Sequence, residues 1–252
     1  MAENVVVGCN GEVGKAISEF FYQRKEGCLG VDLDYKGGPV KCGTMHVCIP
    51  YSDKFVETVR EYKKMFNPSM TFIYSTVAVG ATRLLGEDCL QSPIEGRHPN
   101  LYSYFLKFTR MLGGPRFKDG ESYFQARGLK TLGFDKSETT EMGKLLSTFR
   151  YGVNLMLADE MKKSCSASGL NYAEAVLAYQ AAYNSLYRDS GESMFCQPML
   201  FPPNGKIGGH CVVPNAKILN DKFVGPLSTM LSKFNDPKTE QIKPKAGKGT
   251  NK

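Results

Sequence analysis

Apolar and polar residues follow two different rhythms along the chain. In the first half, short apolar runs recur, each leading into a stretch with helical spacing. Asn4-Val5-Val6-Val7, Gly30-Val31-Asp32-Leu33-Asp34, Met45-His46-Val47-Cys48-Ile49-Pro50 and Thr71-Phe72-Ile73-Tyr74-Ser75-Thr76-Val77 read as strands. Lys15 to Arg24 and Ser52 to Phe66 read as amphipathic helices between them. Strands alternating with helices predict an α/β chain with a Rossmann-type, doubly wound parallel sheet. Gly113-Gly114 and the strand-like Leu129-Lys130-Thr131-Leu132 close this domain near residue 135.

The rhythm then changes. Residues 136 to about 190 hold no proline and few strand signals. Asp135 can cap a helix, with Glu138 three residues later reaching back. That helix is expected to run to about Ser166, because Ser168-Gly169 marks a stop, and a second helix starts near Asn171-Tyr172-Ala173. A helix of about 30 residues exceeds the usual length and suits a role in joining domains or subunits. Gln197 to Gly209 is a Pro/Gly-rich loop, with a short helix after it. The expected organisation is a Rossmann domain over 1–135, a smaller all-α domain with a cysteine loop over 136–232, and a tail over 233–252. The tail is rich in Lys, Gly, Pro and Thr with little to bury, so it reads as disordered.

Composition narrows the class. Hydrophobic content is 42%, ordinary for a globular chain. No apolar run is long enough to span a membrane, and the N-terminal residues lack the basic and apolar regions of a signal peptide, so a cytoplasmic location is expected. Eight cysteines include no CxxC pair and no Cys/His spacing typical of zinc, so no metal site is expected and a reducing compartment fits. The net charge of +7 lies partly in the tail from Asp236 to Lys252, which has five lysines against two acids. Elsewhere basic residues are interspersed with acids. That argues for small anionic ligands and against nucleic acid or membrane as partner.

Four constellations carry candidate chemistry. The first is the turn Gly8-Cys9-Asn10-Gly11-Glu12-Val13-Gly14 between the first strand and helix. Side chains must be absent where a phosphate approaches backbone N–H groups at a helix N-terminus. Gly8, Gly11 and Gly14 give GxxGxxG, with Cys9 where the first glycine of GxGxxG would fall. Asp32, 18 residues after Gly14, can bind ribose hydroxyls, which favours NAD over NADP. The alternative is a glycine turn that binds no nucleotide. The second is Ser75-Thr76, at the carboxyl end of a strand, where ligands of open α/β sheets sit. Thr76 could also be an ordinary strand residue.

The third is a stripe of the long helix that carries Glu141, Lys144, Thr148 and Asp159, with Glu160 at its border. A lysine beside a cofactor can polarise a substrate oxygen or accept its proton. The alternative is a solvated face with a Glu141–Lys144 pair. The fourth is Cys211 after Gly208-Gly209-His210, where a thiol can attack a carbonyl or can be purely structural.

Taken in order, these motifs resemble the nucleotide-sugar dehydrogenases, the UDP-glucose and GDP-mannose dehydrogenase family. The resemblance rests on the glycine turn with Val31-Asp32-Leu33-Asp34, Ser75-Thr76-Val77, Ser92-Pro93 before Gly113-Gly114, Glu141-Met142-Gly143-Lys144, Asp159-Glu160 sixteen residues after the lysine, and Gly208-Gly209-His210-Cys211. It implies an NAD-binding domain that uses Gly8, Gly11, Glu12, Val13, Gly14, Asp32, Ser75 and Thr76. It also implies a central helical domain that forms a homodimer through the long helix. The implied reaction oxidises a primary alcohol of a sugar or nucleotide sugar to a carboxylate. In that scheme Cys211 adds to the aldehyde, Lys144 steadies oxyanion character, and Thr76, Thr148 and Asn215 line the site.

The chain departs from the family pattern. Thr148 stands where the family has asparagine, and Asn215 where it has an acid that can accept a proton. Ser92-Pro93-Ile94-Glu95 moves the family's Ser-Pro-Glu carboxylate by one residue, and no counterpart of the family's third domain is seen. Two other readings therefore stand beside the first. One is a two-electron β-hydroxyacid dehydrogenase that uses Lys144 without Cys211. The other is a non-catalytic NAD-binding or assembly protein derived from a dehydrogenase.

Overall fold

The computed structural model describes residues 2–208 and 211–236. The described chain divides into two compact units that meet in sequence after Lys144.

The first unit is built on a seven-stranded sheet: β1 (Ala2–Val7), β2 (Cys28–Val31), β3 (Cys42–Val47), β4 (Met70–Ile73), β5 (Cys89–Gln91), β6 (Arg110–Gly113) and β7 (Thr131–Phe134). The strand order is β2-β1-β3-β4-β5-β6-β7. The first five strands are parallel, as expected. β5 and β6 pair antiparallel, and β7 runs parallel to β6, so the sheet is mixed at this edge. β2 begins two residues before the expected strand and ends at Val31, which places Asp32 just past it.

Why β1 is a run of valines is clear from what covers it. Val5 and Val7 face one apolar layer with Met45, Val47, Phe55, Val59 and Phe66, the last three from α2 (Phe55–Phe66). Val6 faces the opposite layer with Ile17, Phe20 and Phe21 of α1 (Glu12–Gln23), together with Phe105 of α3 (Leu101–Lys107) and Phe124 of α4 (Phe117–Gln125). A strand buried on both faces has no polar side to alternate. The sheet is thus covered on both faces, and its carboxyl edge, from which the β1, β3 and β4 loops emerge, is left to carry a site.

α5 (Ser137–Ala167) is the long helix expected from the proline-free stretch. The second unit holds most of it. A π-helical turn at Ala173–Ala178 follows and leads into α6 (Tyr179–Asp189). α7 (Val212–Asn220) and α8 (Pro226–Lys233) complete the unit. Ile207, Val212, Ala216 and Leu231 form its core, backed by Phe149, Leu155 and Met156 of α5. Buried Asn184 of α6 holds the following loop: its amide donates to the Gln197 carbonyl at 2.8 Å, and its side-chain oxygen accepts from the Gln197 N–H at 2.8 Å. The expected disordered tail lies outside the described residues beyond 236.

Candidate active site

The glycine turn leaves β1 at Gly8, whose φ of +82° is a backbone conformation that suits glycine. Gly14 is needed for a different reason. A Cβ there would fall 2.0 Å from the Gly8 carbonyl oxygen, so the first turn of α1 can approach the loop only without a side chain. Gly11 meets nothing closer than 3.5 Å and has no such internal constraint. Its bare backbone is open for a ligand to approach. It is also the N-cap of α1 and offers no side-chain cap, so the helix N-terminus keeps unpaired N–H groups.

Asp32 closes the turn from the side. Its carboxylate accepts from the Asn10 N–H at 2.8 Å and from the Leu33 N–H at 2.9 Å. Cys9 points into the fold: a Cβ on Gly30 would lie 3.0 Å from its sulfur. Burial, with Asp32 adding to it, pushes its thiol up from the ordinary range. Glu12 stands exposed at the start of α1 and contacts His98, which brings the 95–100 loop to the cofactor turn. Val13 packs partly buried against the apolar layer behind.

Two further loops rise from the same carboxyl edge. After β4, the Ser75 hydroxyl donates to the Ile49 carbonyl, which fixes the segment, and half-buried Thr76 follows. After β5 the chain runs through Ser92-Pro93-Ile94-Glu95. Here Lys144 of α5 arrives: its Nζ donates to the Ile94 carbonyl at 2.8 Å and pairs with the Glu95 carboxylate at 3.1 Å. The pair is largely shielded, with side chains 15% and 21% exposed. Lysine is thereby held at the carboxyl end of the sheet by a carbonyl and a carboxylate.

Glu141 does not pair with Lys144 as the solvated-face alternative expects. Its buried carboxylate accepts from the Gly80 N–H at 2.6 Å and the Thr82 N–H at 2.8 Å. Burial raises its pKa, and these two backbone donors work against that rise. Asp159, further along the same helix and largely shielded, pairs with the exposed Lys163 at 2.7 Å. The helix stripe thus divides into a loop anchor at Glu141, a lysine paired with Glu95 and an Asp159–Lys163 pair.

In the second unit, Cys211 is exposed and is the N-cap residue of α7. Gly209 and His210 of its turn lie outside the described residues. Asn215, one turn into α7 and buried, donates from its amide to the Thr148 hydroxyl of α5 at 3.3 Å. The two positions that depart from the family pattern therefore touch each other.

No protein-family model and no curated protein matches the chain. Solved structures do. A UDP-D-ManNAc dehydrogenase from Pyrococcus horikoshii is similar at a TM-score of 0.71 and 15% identity, over 92% of this chain and 68% of that one. A UDP-N-acetyl-mannosamine dehydrogenase from Staphylococcus aureus is similar at a TM-score of 0.71 and 16% identity, over 96% of this chain and 69% of that one. The chain has the fold of the nucleotide-sugar dehydrogenases. A 3-hydroxyisobutyrate dehydrogenase from Mycobacterium tuberculosis is also similar, at a TM-score of 0.67 and 13% identity, over 92% of both chains. Identities this low speak for the fold.

The candidates Gly8, Gly11, Gly14, Asp32, Thr76 and Lys144 all stand in the first unit. Spacing does not link the Glu95 carboxylate to a lysine 49 residues away. It also misses the reach of Glu141 to Gly80. Among the described residues, no His/Cys/Asp/Glu group could hold a metal ion, and no helix is long and apolar enough to cross a membrane.

Proposed function

We propose that this protein is an NAD-dependent dehydrogenase acting on a primary alcohol of a sugar or nucleotide sugar. The observation that carries the reading is Lys144, held at the carboxyl edge of the sheet that bears the glycine turn. Gly8, Gly11, Gly14 and the N–H groups of Glu12 and Val13 would hold the pyrophosphate. Asp32 would hold the adenosine ribose, with Ser75 and Thr76 lining the nicotinamide side. When bound, NAD supplies the hydride acceptor. Lys144 takes the alcohol proton as the carbon gives up its hydride, and Glu95 balances the charge that passes through the amine.

The second oxidation is assigned to Cys211. An aldehyde has no hydride on an alkoxide-bearing carbon until a nucleophile adds. The Cys211 thiolate would add to the carbonyl carbon and hold the substrate as a thiohemiacetal, whose carbon again carries a transferable hydride; bound NAD would supply the acceptor, and a Cys211 thioester would remain. Water then cleaves the thioester to carboxylate and free thiol. Thr148 and Asn215, in contact near the cysteine helix, would orient that water. Neither is a proton acceptor of carboxylate strength, so hydrolysis should be the slow step.

A two-electron hydroxyacid dehydrogenase is the second reading. The like-sized 3-hydroxyisobutyrate dehydrogenase fold and the Asn215 amide favour it. One experiment separates the two: reduced cofactor formed per alcohol consumed, in wild-type, Cys211→Ser and Lys144→Ala proteins. The first reading expects two NADH per alcohol, falling to one in Cys211→Ser. The second expects one NADH per alcohol in wild-type and Cys211→Ser proteins alike, with turnover lost in Lys144→Ala. Absence of NADH in every protein, with NAD still bound, supports the non-catalytic alternative.

The helical unit also exposes Leu157, Tyr179, Leu186, Met199 and Phe201. We assign this apolar surface to a homodimer, to be tested by light scattering.

A further inference from the structure

Arg110, the first residue of β6, is fully buried, yet its Nε, Nη1 and Nη2 atoms have no hydrogen-bond partner among the described residues. Its guanidinium lies over the Phe105 ring, 4.6 Å from the centroid. A ring face offsets some of the lost hydration but satisfies none of the five in-plane donors. A buried cation without a hydrogen-bonded anion is strongly unfavourable, so such a site calls for a carboxylate within reach.

Topology supplies one. β5 and β6 run antiparallel, with Gln91 opposite Gly113. The chain that leaves β5 through Ser92 to Glu95 therefore heads along β6 toward its Arg110 end. Burial lowers the pKa of Arg110, and Tyr74 and Glu95 counter that shift. Of these, Glu95 is the carboxylate, and it is the one that pairs with Lys144 at 3.1 Å. Lys144 keeps a second anchor, the Ile94 carbonyl at 2.8 Å, whichever way Glu95 turns.

We propose that Glu95 has two cationic partners, Lys144 and Arg110, and that its move to Arg110 frees the Lys144 amine to meet the substrate oxygen. Arg110 is then a positioning residue that acts through Glu95 without touching substrate. The guanidinium fork can take the carboxylate with two parallel hydrogen bonds, which gives the second position its geometry. The inference rests on Lys144 being the proton-handling group of the site.

The test is reductive methylation of Lys144 with formaldehyde and cyanoborohydride, read by peptide mass spectrometry, and it needs neither cofactor nor substrate. Arg110→Met should slow labelling of Lys144 by about tenfold, the scale of coupling between contacting groups. Arg110→Lys should restore most of the rate. In a Glu95→Gln background, Arg110→Met should have no further effect. Wild-type labelling in an Arg110→Met protein with an unchanged thermal midpoint overturns the proposal, as does an effect that persists in the Glu95→Gln background. Should Arg110→Met fail to fold, the Arg110 Nε–H resonance is compared between wild-type and Glu95→Gln proteins. A shift supports the exchange, and an unmoved resonance overturns it. Failure of the dehydrogenase reading would show separately, as absent NADH with the labelling pattern intact.

Discussion

Glu141 fastens the start of the long helix to the loop after β4 by accepting the Gly80 N–H at 2.6 Å, with Thr82 as its second donor at 2.8 Å. This clamp keeps the Thr76 loop and Lys144, one helical turn further on, in fixed register. Glu141→Gln replaces one acceptor oxygen with an amide that faces a backbone donor. The expected loss is about 1–3 kcal/mol, the scale for leaving a buried donor unsatisfied. Thermal unfolding checks the stability loss. The Michaelis constant for NAD should rise in the same variant, because the loop proposed to line the cofactor loosens.

Gly14→Ala tests the cofactor turn. With 2.0 Å between the added Cβ and the Gly8 oxygen, either the loop or α1 must move. NAD affinity, measured by calorimetry, should fall by on the order of tenfold or more, since a shift of even part of an ångström spoils donors aimed at a phosphate. Gly11→Ala lacks that internal clash and should weaken NAD binding while leaving the unfolding midpoint almost unchanged.

How much of this could be read from sequence follows from how local each signal is. Val5, Val6 and Val7 announce a strand buried on both faces, and Gly14 announces a helix that must approach its loop. The helix around Lys144 is legible because no proline interrupts it. β5 is only three residues long and carries no readable period, so it and its antiparallel pairing with β6 stay hidden. Glu95 and Glu141 take their roles from partners 49 and 61 residues distant, which no spacing rule reaches. Nothing in the residues around Arg110 announces that it is fully buried.

His46 predicts the acid limb of stability. It is fully buried between Tyr74, at 3.1 Å from Nδ1, and Thr44, at 3.0 Å from Nε2. Burial, with a smaller contribution from the Arg127 charge, lowers its pKa to about 3 from 6.5. Below pH 6.5 the unfolded chain takes up a proton here that the folded chain refuses until about pH 3. Unfolding free energy should therefore fall as pH drops through this window, by up to about 1.4 kcal/mol per pH unit from this group, and be flat above it. Urea unfolding across pH checks the slope, which should diminish in His46→Gln.

The account stands on Lys144 handling a proton beside a bound nicotinamide cofactor. The most direct measurement is reduced-cofactor formation by wild-type and Lys144→Ala proteins over a panel of sugar and nucleotide-sugar alcohols, with NAD binding measured in parallel. The expected result is equal NAD affinity in the two proteins and a rate lower by about 10²–10⁴-fold in Lys144→Ala. Turnover that survives the loss of the amine, or no reduced cofactor from any alcohol despite bound NAD, would contradict it.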